Sequence, residues 1–356
     1  MTKVANLLSR NSNIFDAMRL FAAILVIWSH SYAMIGRLEP IPYGMGVSLG
    51  SLGVHIFFIL SGLLITASWV SHPRVGAYLG KRALRILPAL TLVIVVSAFV
   101  IGSIFTTLGL VYYLKSNDTF LYLNGIFIFG IQYNLPGVFQ HNPIVGTVNG
   151  SIWTLPYEVA AYFMIAIFGK TGFLKRKKTI ILLFLMCVAL TFVTNGTHSN
   201  HFLFTLNVNA YMYFTAYFLS GVVLYLYRDK IPLNWQIAVI AALVLIISIP
   251  VHAFYLTLFF TLPYLVMFIG SLTWTSLTAL SKYGDFSYGM YIFAWPVQQS
   301  LVDLLHNKVG HTHLFVYTMV ITLPLAIASW HFLEKPMLKL KTHFNVDRYP
   351  MDADAW

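Results

Sequence analysis

Arg19 and His30 stand 11 residues apart in a run that is otherwise mostly apolar. At 100° per residue that spacing is three helical turns plus 20°, so on a helix both side chains share one face, about 16 Å apart along the axis. Asp16 falls on the same stripe. A guanidinium binds carboxylates and phosphates, and an imidazole exchanges protons near neutral pH. The stripe therefore joins an anion grip to a candidate base. A structural reading competes with it: Asp16 and Arg19 pair at i,i+3, and His30 hydrogen-bonds a neighbouring helix. A second basic pair lies in Lys81-Arg82-Ala83-Leu84-Arg85-Ile86-Leu87-Pro88. Arg82 and Arg85 are i,i+3 neighbours there, either an ordinary positively charged anchor or, for Arg85 within the apolar run, a partner for phosphate or carboxylate. Of the 11 carboxylates only Glu158 sits well inside an apolar stretch. Asp16, Asp285, Asp303 and Glu334 fall at the ends of such stretches, where a side chain reaches water cheaply.

What must position these groups is a membrane protein. The chain has 356 residues, 58% hydrophobic and 9% charged, with a mean hydropathy of +0.76, against about 25% charge in a soluble domain. Apolar stretches near 15–35, 48–70, 86–106, 151–169, 179–195, 204–226, 233–250, 252–272, 286–305 and 313–333 approach the roughly 20 residues that cross a bilayer as helix. The stretch 120–133 is shorter, in the re-entrant or interfacial range. With ten spans starting inside, only Arg37, Lys115 and Lys308 of the 22 Lys and Arg fall outside, as the positive-inside rule requires. Making 120–133 a span would place the Lys170–Lys178 cluster outside. The expectation is an all-α polytopic protein with ten transmembrane helices, both termini cytoplasmic, and a long outer loop, 107–150, holding the re-entrant or interfacial segment. One membrane domain covers 1–342, and 343–356 is a short tail.

The formal charge of +11 sits beside spans rather than in an aromatic-interleaved patch, which argues against nucleic acid as partner. Cys187 stands alone, so neither a disulfide framework nor a thiolate metal cluster is expected. Asp16 and Arg19 interrupt the first apolar run and no small-residue cleavage site follows closely, so that run is expected to remain as a span.

Five motifs in order, with a closing Glu334-Lys335-Pro336, resemble the acyltransferase-3 family of bacterial integral-membrane acyltransferases over nearly the whole chain. They are Phe-Asp-Ala-Met-Arg-Leu-Phe-Ala-Ala (15–23) with His30, Gly-Val-His-Ile-Phe-Phe-Ile-Leu-Ser-Gly-Leu-Leu-Ile (53–65), the paired-arginine segment 81–88, Gly-Ser-Ile-Trp-Thr-Leu-Pro-Tyr-Glu (150–158) and Phe-Ser-Tyr-Gly-Met-Tyr-Ile-Phe-Ala-Trp-Pro (286–296). His55 stands where many relatives carry Asp or another polar residue. The resemblance implies transfer of an acyl group, usually acetyl from acetyl-CoA, to a hydroxyl of an envelope carbohydrate such as O-antigen, exopolysaccharide or a lipid-linked glycan, in the bacterial inner membrane. Relatives often add an extracytoplasmic hydrolase-like domain. This chain is expected to finish the reaction in its membrane domain or to hand the acyl group to a separate extracytoplasmic protein.

On that implication His30 is the base for the attacking hydroxyl, and Glu158 orients it as third members of triads do. Arg82 and Arg85, with Arg19 on the face leading to His30, meet the phosphates of incoming acyl-CoA. No metal is expected. Ser61 reads as helix packing before nucleophile; His306, His311 and His313 read as a solvated loop before a metal site; Tyr288 and Tyr291 read as interface aromatics. The rival class is a transporter or flippase without acyl transfer, favoured by a lone buried carboxylate and helix-breaking Pro and Gly in several spans. No two-fold repeat supports that class.

Overall fold

The computed structural model describes residues 2–8, 13–41, 44–195, 202–203, 206–272, 277–278 and 282–341. Each of the apolar stretches holds a helix: α1 (Phe15–Ala33), α2 (Leu49–Ser71), α3 (Val75–Val96), α4 (Leu155–Lys170), α5 (Lys177–Asn195), α6 (Val208–Leu226), α7 (Trp235–Ser248), α8 (Phe254–Gly270), α9 (Ser287–Leu304) and α10 (His311–Ser329). Starts are set where a polar side chain satisfies a free amide: Ser48 accepts from Ser51 N, Asn207 from Ala210 N and Asn234 from Ile237 N. Four helical stretches, Leu49–Ser71, Val75–Phe105, Ser151–Lys170 and His311–Lys339, are long and apolar enough to cross a membrane. Strand is confined among the described residues to two-residue pairings, Thr2–Lys3 with Pro232–Leu233 and Phe202–Leu203 with Leu206–Asn207. The protein is an all-α membrane protein. The tail 343–356 lies outside the described residues.

The third helix differs from its expected bounds. It begins at Val75, just past Pro73, rather than at 86, and runs through Pro88 into a π-turn at Ser97–Ile101. The basic residues of its first three turns lower the local hydropathy but do not break a helix, because they face a polar cavity instead of lipid. Lys81, Arg82 and Arg85 are therefore helical positions. The stretch 120–133 forms no continuous helix. It closes a 3₁₀ segment, Tyr122–Phe127, at Ile128, whose φ is 68°. Tyr122 is buried, and a Cβ on Gly125 would lie 3.1 Å from Ile94 of α3, so this stretch packs against the last turn of that helix.

Small residues let the helices approach closely. A Cβ on Gly62 of α2 would lie 1.9 Å from the Phe218 carbonyl oxygen of α6, and one on Gly221 would lie 2.1 Å from that of Ile59. Helices α1 and α9 run side by side in the same direction. Near their starts Arg19 meets Asp285; further along, Gln298 Nε2 donates to Ile27 O at 3.0 Å and Trp295 lies edge-on to His30 with ring centroids 4.8 Å apart. Amides on α9 also tie down the 107–150 segment. Asn142 Nδ2 donates to Gln299 Oε1 at 2.8 Å, and Gln299 Nε2 donates to Thr147 O at 2.7 Å.

Candidate active site

A cavity of about 540 Å³ opens between the starts of α1, α3 and α9 and the segment after α10. Its mouth carries Lys81, Lys282, Lys335, Lys339 and Lys341; deeper in, it reaches Arg19, Arg82 and Arg85, then Ser61 and Glu158, and ends against Thr154 and Tyr291. Tyr291 Oη donates to Ser151 O at 2.6 Å and lies 2.7 Å from Thr154 Oγ1, a polar layer across the inner end.

The three arginines, alike in sequence, sit in different surroundings. Arg85 is held by two carboxylates: Nη1 donates to Glu334 at 2.9 Å and Nη2 to Asp285 at 2.7 Å. Its guanidinium lies 5.4 Å from the Trp330 ring centroid and 5.7 Å from that of Tyr288. Arg19 Nη1 donates to Asp16 at 2.9 Å and to the same Asp285 oxygen at 2.8 Å. Asp285 in turn accepts from Ser287 N at 3.1 Å and Ser287 Oγ at 2.5 Å, at the start of α9, where the helix dipole favours a negative charge. Glu334 is fully buried and also accepts from Ser329 Oγ at 2.9 Å; a π-turn over Trp330–Glu334 carries it onto the α3 side. Arg82 has no carboxylate within ion-pair range among the described residues. Its Nη2 donates to Ser68 Oγ at 2.6 Å, its guanidinium stands 5.6 Å from the Tyr78 ring centroid, and its Nε is buried without a partner. Of the three it is the one whose charge no carboxylate among the described residues offsets, which suits it to an incoming anion.

Glu158 and His30 share no hydrogen bond, contrary to the expectation that one orients the other. Glu158 lies in the cavity wall and accepts from Tyr162, one turn on along α4, and from Ser61 Oγ at 3.4 Å. His30 lies outside the cavity lining, half-buried against Trp295, with its Nδ1 buried and unpartnered. The reason is axial. Glu158 belongs to the first turn of α4 and stands beside Arg82 and Tyr162, below the Thr154–Tyr291 layer; His30 stands above it.

Two carboxylates set aside in the sequence as cheap interfacial groups, Asp285 and Glu334, thus turn out to anchor the site. Their signal was the motif each belongs to or adjoins, 286–296 and Glu334-Lys335-Pro336. Tyr162 was findable from its i,i+4 spacing to Glu158. Tyr288 and Tyr291 are not interface aromatics: Tyr288 Oη donates to Ile86 O at 3.0 Å, and both line the cavity. His55 is fully buried outside that lining, 2.5 Å from Tyr213 Oη through Nε2 and stacked on Tyr217. His311 stacks on Tyr32 with centroids 4.2 Å apart. No group of three metal-ligating side chains occurs among the described residues.

The profile of the acyltransferase-3 family, described as an acyltransferase domain, matches residues 12–331. An O-acetyl transferase of Shigella phage Sf6 is 31% identical over 334 residues, covering 92% of this chain and 96% of the relative. Nodulation protein 10 of Rhizobium leguminosarum bv. viciae is 26% identical over 363 aligned positions, 94% of this chain and 95% of the relative. No solved structure matches the chain.

Proposed function

The chain belongs to the acyltransferase-3 family, and from that premise we propose that it moves an acetyl group from cytoplasmic acetyl-CoA to a hydroxyl of an envelope carbohydrate on the outer side of the bacterial inner membrane. Membrane O-acyl transfer itself follows from the family and from the O-acetyl transferase relative. The donor, the sidedness and the residue roles are the proposed part. The observation that carries them is the cavity: lysines stand at its mouth, Arg82 lines it, and it reaches the Thr154–Tyr291 layer.

In this reading all ten helices cross the bilayer, both termini are cytoplasmic, and 107–150 is the outer loop whose 120–133 segment dips back against α3. The domain spans 1–342, with 343–356 as its tail. The lysines and Arg82 meet the phosphates of the donor, because planar guanidinium groups bind phosphate bidentately. Arg85 and Arg19, already paired with Asp285, Glu334 and Asp16, fix the frame around it. The pantetheine arm lies along the cavity toward Glu158 and Ser61. The acyl end then passes the Thr154–Tyr291 layer, a side-chain step, to reach the acceptor. His30 Nε2 takes the hydroxyl proton as the hydroxyl oxygen bonds to the carbonyl carbon; the C–S bond breaks, and the CoA thiolate leaves and is protonated. A separate extracytoplasmic protein is an alternative taker of the acyl group.

Arg82→Ala tests the donor assignment. Charged hydrogen bonds contribute roughly 1.5–3 kcal/mol, so equilibrium binding of acetyl-CoA to the purified protein in lipid should weaken about ten- to a hundredfold. Unchanged affinity would remove Arg82 from the donor site.

A further inference from the structure

Gly150 has φ −82° and ψ −19°, right-handed backbone that any L residue adopts, so its conformation does not call for glycine. What excludes a side chain there is the indole of Trp295. A Cβ on Gly150 would lie 2.5 Å from Trp295 Cζ2, 2.6 Å from Cη2 and 2.8 Å from Cε2, so the benzene half of the ring rests on the Gly150 backbone. The pyrrole half is held as well, because Trp295 Nε1 donates to Thr147 O at 3.1 Å. The segment carrying Thr147 and Gly150 is itself strapped along α9. Asn149 Nδ2 donates to Ile292 O at 2.9 Å, and Tyr291 Oη donates to Ser151 O at 2.6 Å. The indole is therefore wedged between α9, which carries it, and a backbone that α9 also fixes.

The third contact of this indole is His30. Their ring centroids are 4.8 Å apart and the planes stand at 78°, the edge-to-face arrangement that aromatic pairs favour. His30 Nδ1 is buried without a hydrogen-bond partner among the described residues, so no bond from that nitrogen orients the imidazole. Packing sets its orientation, and the indole is the ring it packs against. Neither Gly150 nor Trp295 belongs to the cavity lining, so the wedge stands apart from the donor groups.

We propose that Trp295 is a positioning residue for the transfer: seated on Gly150 and tied to Thr147, it holds the imidazole of His30 in the orientation that accepts the hydroxyl proton. The inference rests on His30 being the base. It also gives Gly150 a reason, since the backbone there acts on the base through a single rigid ring.

A methyl group at position 150 must displace the indole, and a misplacement of about 1 Å in a catalytic group can cost about a hundredfold in rate. Turnover of labelled acetyl-CoA is counted per acetyl-CoA-binding site, so that unfolded protein does not enter. It should fall about a hundredfold in Gly150→Ala and in Trp295→Ala, with KM for acetyl-CoA unchanged. Trp295→Phe keeps an aromatic edge and should recover most of that loss. The double variant should be no slower than Trp295→Ala alone, because no indole remains for the methyl group to displace. A merely structural role would lower the number of binding sites and leave the turnover of each unchanged. Wild-type turnover per site in either single variant, or two losses that multiply in the double variant, overturns the proposal. Should one single variant bind no acetyl-CoA, the other decides alone. His30→Ala separates the two readings: if it turns over as wild type, His30 is not the base; if it is inactive while Gly150→Ala and Trp295→Ala behave as wild type, only the role of Trp295 falls.

Discussion

His30→Ala is expected to abolish acyl transfer while acetyl-CoA remains bound. General-base catalysis contributes about 10²–10⁴ in rate, and the imidazole lies outside the cavity lining, so donor affinity should not move. Single-turnover transfer from labelled acetyl-CoA, beside equilibrium binding to the same preparation, gives both numbers. A variant that loses donor binding together with transfer would mean that the donor already contacts His30 before reaction. The cavity would then have to extend past the Thr154–Tyr291 layer in the resting protein.

Arg85→Ala is expected to act on stability instead. It strands the fully buried Glu334 and leaves Asp285 with Arg19 as its remaining cation, and removing one partner of a buried ion pair costs about 3–5 kcal/mol. Arg82→Ala strands only the Ser68 hydroxyl and should leave the fold nearly unchanged. Thermal unfolding of the two variants in the same lipid should separate them clearly. Adding Glu334→Gln and Asp285→Asn to Arg85→Ala should recover part of the loss, since no charge is then left unpaired. Equal unfolding temperatures for Arg85→Ala and the wild type would show that the carboxylates do not depend on that guanidinium.

The contrast between the two arginines was not legible in Lys81-Arg82-Ala83-Leu84-Arg85. Both have the same spacing and the same apolar neighbours, and what differs comes from residues far away in the chain: Ser68 on α2, Asp285 before α9 and Glu334 in a π-turn. The turn at Trp330–Glu334 adds a residue to the helical repeat and so rotates Glu334 to a face that a 3.6-residue period would not give it. Regular spacing was informative where the helix is regular. Asp16 and Arg19 pair at i,i+3, Arg19 meets Asp285 just before α9, and His30 meets Trp295 on α9. It failed across helices: Glu158 and His30 are the deepest carboxylate and the best-placed imidazole, and depth along different helices does not report their relative height. The start of α3 was misplaced because hydropathy measures preference for lipid, and the first turns of that helix line a polar cavity.

Sidedness is tested most directly with sealed membrane vesicles carrying the protein together with native envelope carbohydrate. Labelled acetyl-CoA is added to inverted vesicles, with the cytoplasmic face outward, and to right-side-out ones. Label should enter carbohydrate in the inverted vesicles, enclosed within the lumen, and should be lost with either His30→Ala or Arg82→Ala. Labelling from the right-side-out face, or carbohydrate labelled on the same side as the added acetyl-CoA, would contradict a cavity filled from the cytoplasm and emptied toward His30 on the other side.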